Sequence, residues 1–165
     1  MLQGMVIAPG EPAWPPGLVE LYRAERTSLV RTAFLICGSV AAAEDAVHDA
    51  LPRVAGRWTE VANGRGYLYT AVVNAARDAN RRARRYSELK ESAGAHPDPV
   101  AISEESMALH RALSKLPERQ RTAVVLRHFA DWTDDEIAEQ LHARPATVRS
   151  LVHRGIERLR REMEQ

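Results

Sequence analysis

Arg149, Ser150, His153 and Arg154 stand on one side of a stretch whose other side is Val148, Val152, Ile156 and Leu159. Spacings of three and four residues put each set on one face of a helix. Such exposed side chains can meet DNA in the major groove, where an arginine fork pairs with guanine O6 and N7. The residues in front of them set the element. Thr133 with Glu136 three residues on is a capping box. It opens a short helix with Ile137, Ala138 and Leu141 on one face, which stops at 142–144. Pro145 lacks an N–H and suits the first position of a new helix. Two short helices with a tight turn, the second basic on its outer face, describe a helix-turn-helix with its reading helix in the major groove. The other reading of this segment is a surface helix pair whose arginines are merely solvated.

Two further clusters invite a chemical reading. Glu44, Asp45, His48 and Asp49 fall in the first turns of an apolar stretch. Carboxylates there are favoured by the helix macrodipole. They could also serve acid–base catalysis, but no nucleophile, metal ligand or glycine-rich loop accompanies them, so that reading is set aside. A docking surface for a basic partner is the third reading. Downstream, Tyr67, Tyr69, Asn74, Asp78, Arg81 and Arg82 are expected on the exposed side of another helix. Aromatic rings beside arginines can stack bases and neutralise phosphates. A solvated basic helix with the two tyrosines partly in the core explains the pattern as well, and both readings stay open.

The elements that must hold these groups are helical throughout. The first is expected from Pro15-Pro16 to about Cys37, with Leu18, Leu21, Tyr22, Leu29, Ala33, Phe34 and Ile36 inward. Gly38 ends it and Ser39 caps the next. A second helix covers 40–58, and Pro52 inside it should kink or shorten it. Residues 59–66 read as a loop, with Asn63-Gly64 as a turn signal. A third helix runs from about Tyr67 to Tyr86. The stretch 87–103, with Gly94, Pro97 and Pro99, reads as a linker polar and long enough to let two halves move independently. Helices over 104–115 and 117–130 then support the helix-turn-helix. Residues 1–14 read as a flexible arm, which Trp14 pins to the first helix.

Bulk composition narrows the class. The chain has 165 residues and a formal net charge of only +1. The charge is segregated, however. Arg77, Arg81, Arg82, Arg84 and Arg85 precede an acidic strap, and the C-terminal stretch is basic again. Two basic patches suggest two contacts with one long polyanion. Lys90 and Lys115 are the only lysines; arginine's planar fork favours phosphate and guanine recognition, and codon bias in a GC-rich genome explains the usage equally well. Cys37, the single cysteine, allows no internal disulfide. The histidines lack metal-ligand spacing, so no metal and no cofactor are expected. With no apolar run of membrane length and no signal-peptide pattern at the start, a cytoplasmic protein is expected.

Across about 17–162 the sequence resembles the extracytoplasmic-function (ECF) sigma factors, the smallest sigma-70-type initiation factors, and among them the actinobacterial sigma-E-like group. In the second half, Leu116-Pro117-Glu118-Arg119-Gln120-Arg121, Glu136-Ile137-Ala138, Thr147-Val148-Arg149-Ser150 and His153-Arg154 carry the likeness to region 4. In the first half, Ala43-Glu44-Asp45-Ala46-Val47-His48-Asp49 resembles region 2.2, and Tyr67-Leu68-Tyr69 with Asn74, Asp78, Arg81 and Arg82 resembles regions 2.3 and 2.4. The resemblance implies an all-α protein of two small helical domains: region 2 over 15–86 and region 4 over 104–165, joined by the linker. It implies a binding function without catalysis. Glu44, Asp45, His48 and Asp49 would dock on the β′ clamp of core RNA polymerase. Tyr67, Asn74, Arg77, Asp78, Arg81, Arg82 and Arg84 would melt and hold the −10 element, with Asn74 beside a flipped-base pocket shaped by the 59–66 loop. Pro145, Thr147, Arg149, Ser150, His153 and Arg154 would serve −35 recognition, while region 4 also contacts the β flap. An anti-sigma factor is a further implied partner. No sensory domain is expected after Gln165.

The sequence departs from the family pattern at several points. His48 stands where glutamine is usual and Asp49 where glutamate is frequent. Arg144 replaces a small capping residue, His142 a glycine of the turn, and Leu151 a common arginine. The 59–66 loop is short. Two rival functions share part of the pattern: a helix-turn-helix regulator that never binds polymerase, and a sigma mimic that sequesters a regulator.

Overall fold

The structure, a computed structural model, describes residues 14–85 and 100–165. Most of the expected arm over 1–14 and of the expected linker over 87–103 lies outside the described residues, which omit 1–13 and 86–99. Among the described residues the regular structure is helical, without strands.

Helix α1 (Pro16–Cys37) starts where two prolines make a missing N–H harmless. It ends at Gly38, whose left-handed φ of 79° lets its N–H reach the Phe34 carbonyl. Ser39 then caps α2 (Val40–Arg57), its hydroxyl accepting the Ala42 N–H at 3.2 Å. Pro52 does not shorten α2, one of the two effects expected of it. It lies on the exposed side, where the carbonyl it leaves unpaired is close to water rather than core. A single 3-10 turn (Trp58–Glu60) follows. Helix α3 (Gly64–Arg85) begins earlier than its hydrophobic pattern suggests. Asn63, read as part of a turn, caps it: its side-chain oxygen accepts the Gly66 N–H at 3.0 Å.

In the second half, Ser103 caps α4 (Glu104–Leu113) and Pro117 precedes α5 (Glu118–His128). The Thr133–Glu136 capping box is present in full at the start of α6 (Asp134–Leu141). His142 closes α6 in the left-handed conformation, φ 51°, which a glycine would adopt without strain. Helix α7 (Pro145–Met163) follows with no side-chain cap from Arg144. Gly155 in α7 is buried, and a Cβ there would meet Val124 of α5 at 2.6 Å. The absent side chain lets α7 lie close on α5.

Helices α1, α2 and α3 pack on one another, and α5, α6 and α7 form a second group. The two groups are not independent. Helices α4 and α5 both pack on α1, and one apolar core runs from Leu18 and Leu35 through Leu113 and Leu126 to Leu141. Trp14 and Trp132 are both half-buried against that core.

Candidate nucleic-acid interface

Helix α2 offers Asp45, His48 and Asp49 at or near its surface, and His48 stands edge-on to the Tyr22 ring. Glu44 is a correction to the expected docking set. Only 3% of it is exposed, and its carboxylate accepts the Val100 N–H at 2.6 Å. It ties the chain leading into α4 onto α2. Asp45 and Asp49 share a groove of about 380 Å³ with Asp78 and Arg82 of α3. The expected docking and melting sets therefore meet between α2 and α3.

On α3, Leu68, Val72, Val73 and Ala76 face the core. Tyr69, for which an exposed and a partly buried place both stood open, is buried with them. Its hydroxyl donates to Glu25 at 2.6 Å and lies 2.9 Å from Ser28 Oγ, and Arg65 covers its ring. Burial and the Glu25 carboxylate push its phenol up to about 12. Tyr69 is a structural residue with no free face on which to stack a base. Tyr67, Asn63, Thr70 and Asn74, together with Tyr69, line a cleft of about 610 Å³. Its opposite wall is Trp132, Glu136, Glu139, Gln140 and His142 around α6. Arg81, Arg82 and Arg84 are exposed, Arg81 lying 3.6 Å from Asp78.

Arg77 is the second correction. It is not a surface cation but is 7% exposed, with Nε 2.7 Å from the Glu118 carboxylate and Nη1 donating to the Gln140 carbonyl at 3.3 Å. Beside it, Gln140 Nε2 donates to Asn74 Oδ1 at 2.5 Å. Burial pushes the Glu118 carboxyl up, but the hydrogen bond and charge of Arg77, with Arg81 and Arg121 near, bring it below the usual carboxylate range.

Helix α7 keeps its outer face open. Thr147, Arg149, Ser150, His153 and Arg154 are exposed, while Val148, Gly155 and Leu159 are buried and Pro145 occupies the first turn. Asp134 at the start of α6 lies 3.7 Å from Arg149 and 3.4 Å from Arg127, holding the two arginines on one side of the helix pair. The Ser150 hydroxyl donates to the Ala146 carbonyl of its own helix at 3.2 Å. Among the described residues no group of His, Cys, Asp or Glu is placed to hold a metal ion, and no helix is long and apolar enough to cross a membrane.

The family model for Sigma-70 region 2 matches residues 21–86, and that for Sigma-70, region 4 matches 106–159. The chain is 32% identical over 155 residues to the RNA polymerase sigma-E factor of Streptomyces antibioticus, covering 88% of this chain and 83% of that one. This chain belongs to the ECF sigma factors. The ECF RNA polymerase sigma factor SigM of Mycobacterium tuberculosis is 33% identical over 146 residues, 86% of this chain and 74% of the relative. Among solved structures, the Bartonella quintana sigma factor RpoE, in complex with the anti-sigma factor NepR, superposes with a TM-score of 0.66 at 20% identity. It covers 90% of this chain and 94% of that one, a likeness of fold. The Mycobacterium tuberculosis ECF sigma factor SigJ gives a TM-score of 0.64 at 27% identity, over 86% of this chain and 53% of that one.

Pattern reading of this sigma factor missed three residues that join its halves: Glu118, Arg121 and Gln140. Arg121 is buried, its Nη1 donating to the Ile36 carbonyl at 3.1 Å and to Asn80 Oδ1 at 3.4 Å, its Nη2 to the Leu116 carbonyl at 3.4 Å. The carbonyls at the end of α1 carry partial negative charge, which suits a cation. Burial, with Arg84 near, lowers its pKa. One sequence signal pointed to it. Arg121 interrupts the apolar side of α5, beside Thr122, Ala123 and Val125, where a charge is tolerated only with partners.

Proposed function

We propose that this sigma factor joins core RNA polymerase through α2, places α3 on the −10 element and α7 on the −35 element, and opens the duplex without catalysing any bond change. The domain limits proposed are 15–86 and 104–165, acting in the cytoplasm. Asp45, His48 and Asp49 meet basic groups of the polymerase β′ clamp. Asn74 and Tyr67 hold an extruded base, and Arg81, Arg82 and Arg84 position phosphates, which fixes register without reading sequence. Arg149, His153 and Arg154 read −35 base edges, while region 4 also touches the β flap. Nucleotide chemistry belongs to the polymerase.

The observation that carries this reading is the helix-turn-helix. A fully capped α6 leads into an α7 with an apolar inner face and an exposed face holding Arg149, Ser150, His153 and Arg154. Run-off transcription with purified core polymerase on fragmented genomic DNA tests it. New start sites that share two upstream elements are expected only when this protein is added. Binding to core without new starts would point to a sigma mimic, and no binding to core would leave a stand-alone DNA-binding regulator. The Bartonella sigma factor is described in complex with an anti-sigma factor. We propose a partner of that class here.

A further inference from the structure

Asp134 opens α6 and links three helices by charge. One of its carboxylate oxygens lies 3.4 Å from Nη1 of Arg127, at the end of α5. The other lies 3.7 Å from Nη1 of Arg149, near the start of α7. Helix α6 does not need this carboxylate as a cap, because Thr133 and Glu136 supply the capping box. Ion pairs this open to solvent also add little to stability. The Arg149 side chain is 63% exposed and that of Asp134 23%, so the guanidinium stays open to a ligand while the carboxylate behind it is mostly covered. The contact acts at the face where α7 would meet DNA, more than in the packing of the helices.

We propose that Asp134 is a positioning residue for −35 recognition, which holds Arg149 for one base and keeps it off the phosphates. The inference rests on the proposed assignment of α7 to the −35 element. A guanidinium carries five N–H donors in a rigid fork. Asp134 takes up the Nη1 corner of Arg149, which leaves the Nε and Nη2 edge free. That edge presents two parallel donors, the number that guanine O6 and N7 accept. An arginine already held in place loses less rotamer freedom when it pairs. An untethered one on an exposed face also reaches phosphate oxygens, and those contacts raise affinity for every sequence alike. Asp134 further offsets one of the two positive charges beside it and repels the DNA backbone. It thus lowers affinity for DNA in general and sharpens selection of the base that Arg149 reads.

The test measures equilibrium binding of the holoenzyme, assembled from core polymerase and the full chain. The ligands are a labelled promoter and promoters carrying each single substitution in the −35 element. Arg149→Ala identifies the base: it is the position at which the preference for the parent base disappears. Asp134→Asn keeps the shape and removes the charge. It is expected to lower the preference at that same position about fivefold, part of the worth of a bidentate contact, and to leave the other −35 positions unchanged. Affinity for the substituted promoters is expected to rise, and the salt dependence to steepen by about one counterion. In the Arg149→Ala chain, Asp134→Asn is expected to leave the preference at that position as it was. Asp135→Asn, an equal charge change at the next and exposed residue of α6, is the control and should not alter the preference. An equal rise in affinity for parent and substituted promoters would overturn the positioning role, because a carboxylate that merely repels DNA does the same. So would a loss spread over all −35 positions with a lower melting temperature, the mark of a fold defect. An effect of Asp134→Asn on the preference that persists without Arg149, or that Asp135→Asn reproduces, would overturn it as well. If Arg149→Ala leaves the preference intact at every −35 position, the assignment of Arg149 to base reading fails, and the role of Asp134 with it. If Arg149→Ala removes the preference and Asp134→Asn does not lower it, only the positioning has failed.

Discussion

The guanidinium of Arg77 and the carboxylate of Glu118 meet at 2.7 Å, across 41 residues of sequence, and join α3 to α5 with both side chains largely out of water. A pair held that way is sensitive to loss of either charge, since the survivor is left buried and alone.

Acid should therefore loosen the molecule. The Glu118 carboxyl is held below its usual range, so the unfolded or opened chain binds its proton more readily. Its contribution is complete above the ordinary glutamate value and disappears as pH falls through the depressed one. His110 acts in the same direction. It packs on Phe34 at the contact of α4 with α1, and burial, with Arg121 near, lowers its pKa although the Leu35 carbonyl opposes the shift. The neutral ring is favoured in the packed state, so stability falls as pH drops below the ordinary histidine value. Thermal unfolding followed from pH 7.5 to about 4 should show a loss in two steps. The lower step should shrink in Glu118→Gln and the upper one in His110→Phe. A profile unchanged by both substitutions would contradict these assignments.

Arg149→Ala and Arg154→Ala should each weaken transcription from a cognate promoter by roughly tenfold or more, the worth of a good arginine–guanine contact. Both residues are exposed on α7, so the fold has little stake in them. Core binding, measured in parallel by gel filtration, should stay intact. Its loss would mean that these arginines serve the polymerase rather than −35 DNA.

Asp45→Arg with Asp49→Arg should abolish stable association with core polymerase while leaving helix content nearly unchanged. The two aspartates line the groove between α2 and α3, and Asp49 is exposed. Reversing charge against a basic partner surface costs several kcal/mol. An unaltered core affinity would remove α2 from the proposed interface.

Gly155→Ala should destabilise the second half by about 1–3 kcal/mol, because the new methyl overlaps Val124 of α5 and must push α7 away. Helix propensity alone predicts the opposite sign, a gain of about 1 kcal/mol. Chemical denaturation decides between the two terms.

His142→Gly should stabilise the protein by about 1 kcal/mol, because the left-handed φ of 51° strains any residue with a Cβ. A lower denaturation midpoint would show that the imidazole contributes more through the cleft wall than the backbone loses.

Local rules determined much of this protein. The capping box at Thr133 and Glu136, the prolines at 15–16, 117 and 145, and Gly38 with Ser39 mark helix ends through atoms a few residues apart, which a sequence displays directly. Period-3.6 patterns likewise placed Val148 and Leu159 inside and Arg149 and Arg154 outside, because one helix needs only one apolar face. The motifs of both halves were enough to carry the family likeness. The tertiary structure decided what covers each remaining face. Periodicity placed Asn74 on a polar face of α3 and said nothing of Gln140 coming to lie on it. Glu44 and Arg77 read as surface charges because their burial depends on Val100 and Glu118, distant in sequence and brought near by packing. Tyr69 went inside because Glu25 and Ser28 satisfy its hydroxyl there. Charge type is local information. Whether a charge meets solvent, DNA or another part of its own chain is settled only when the helices have packed.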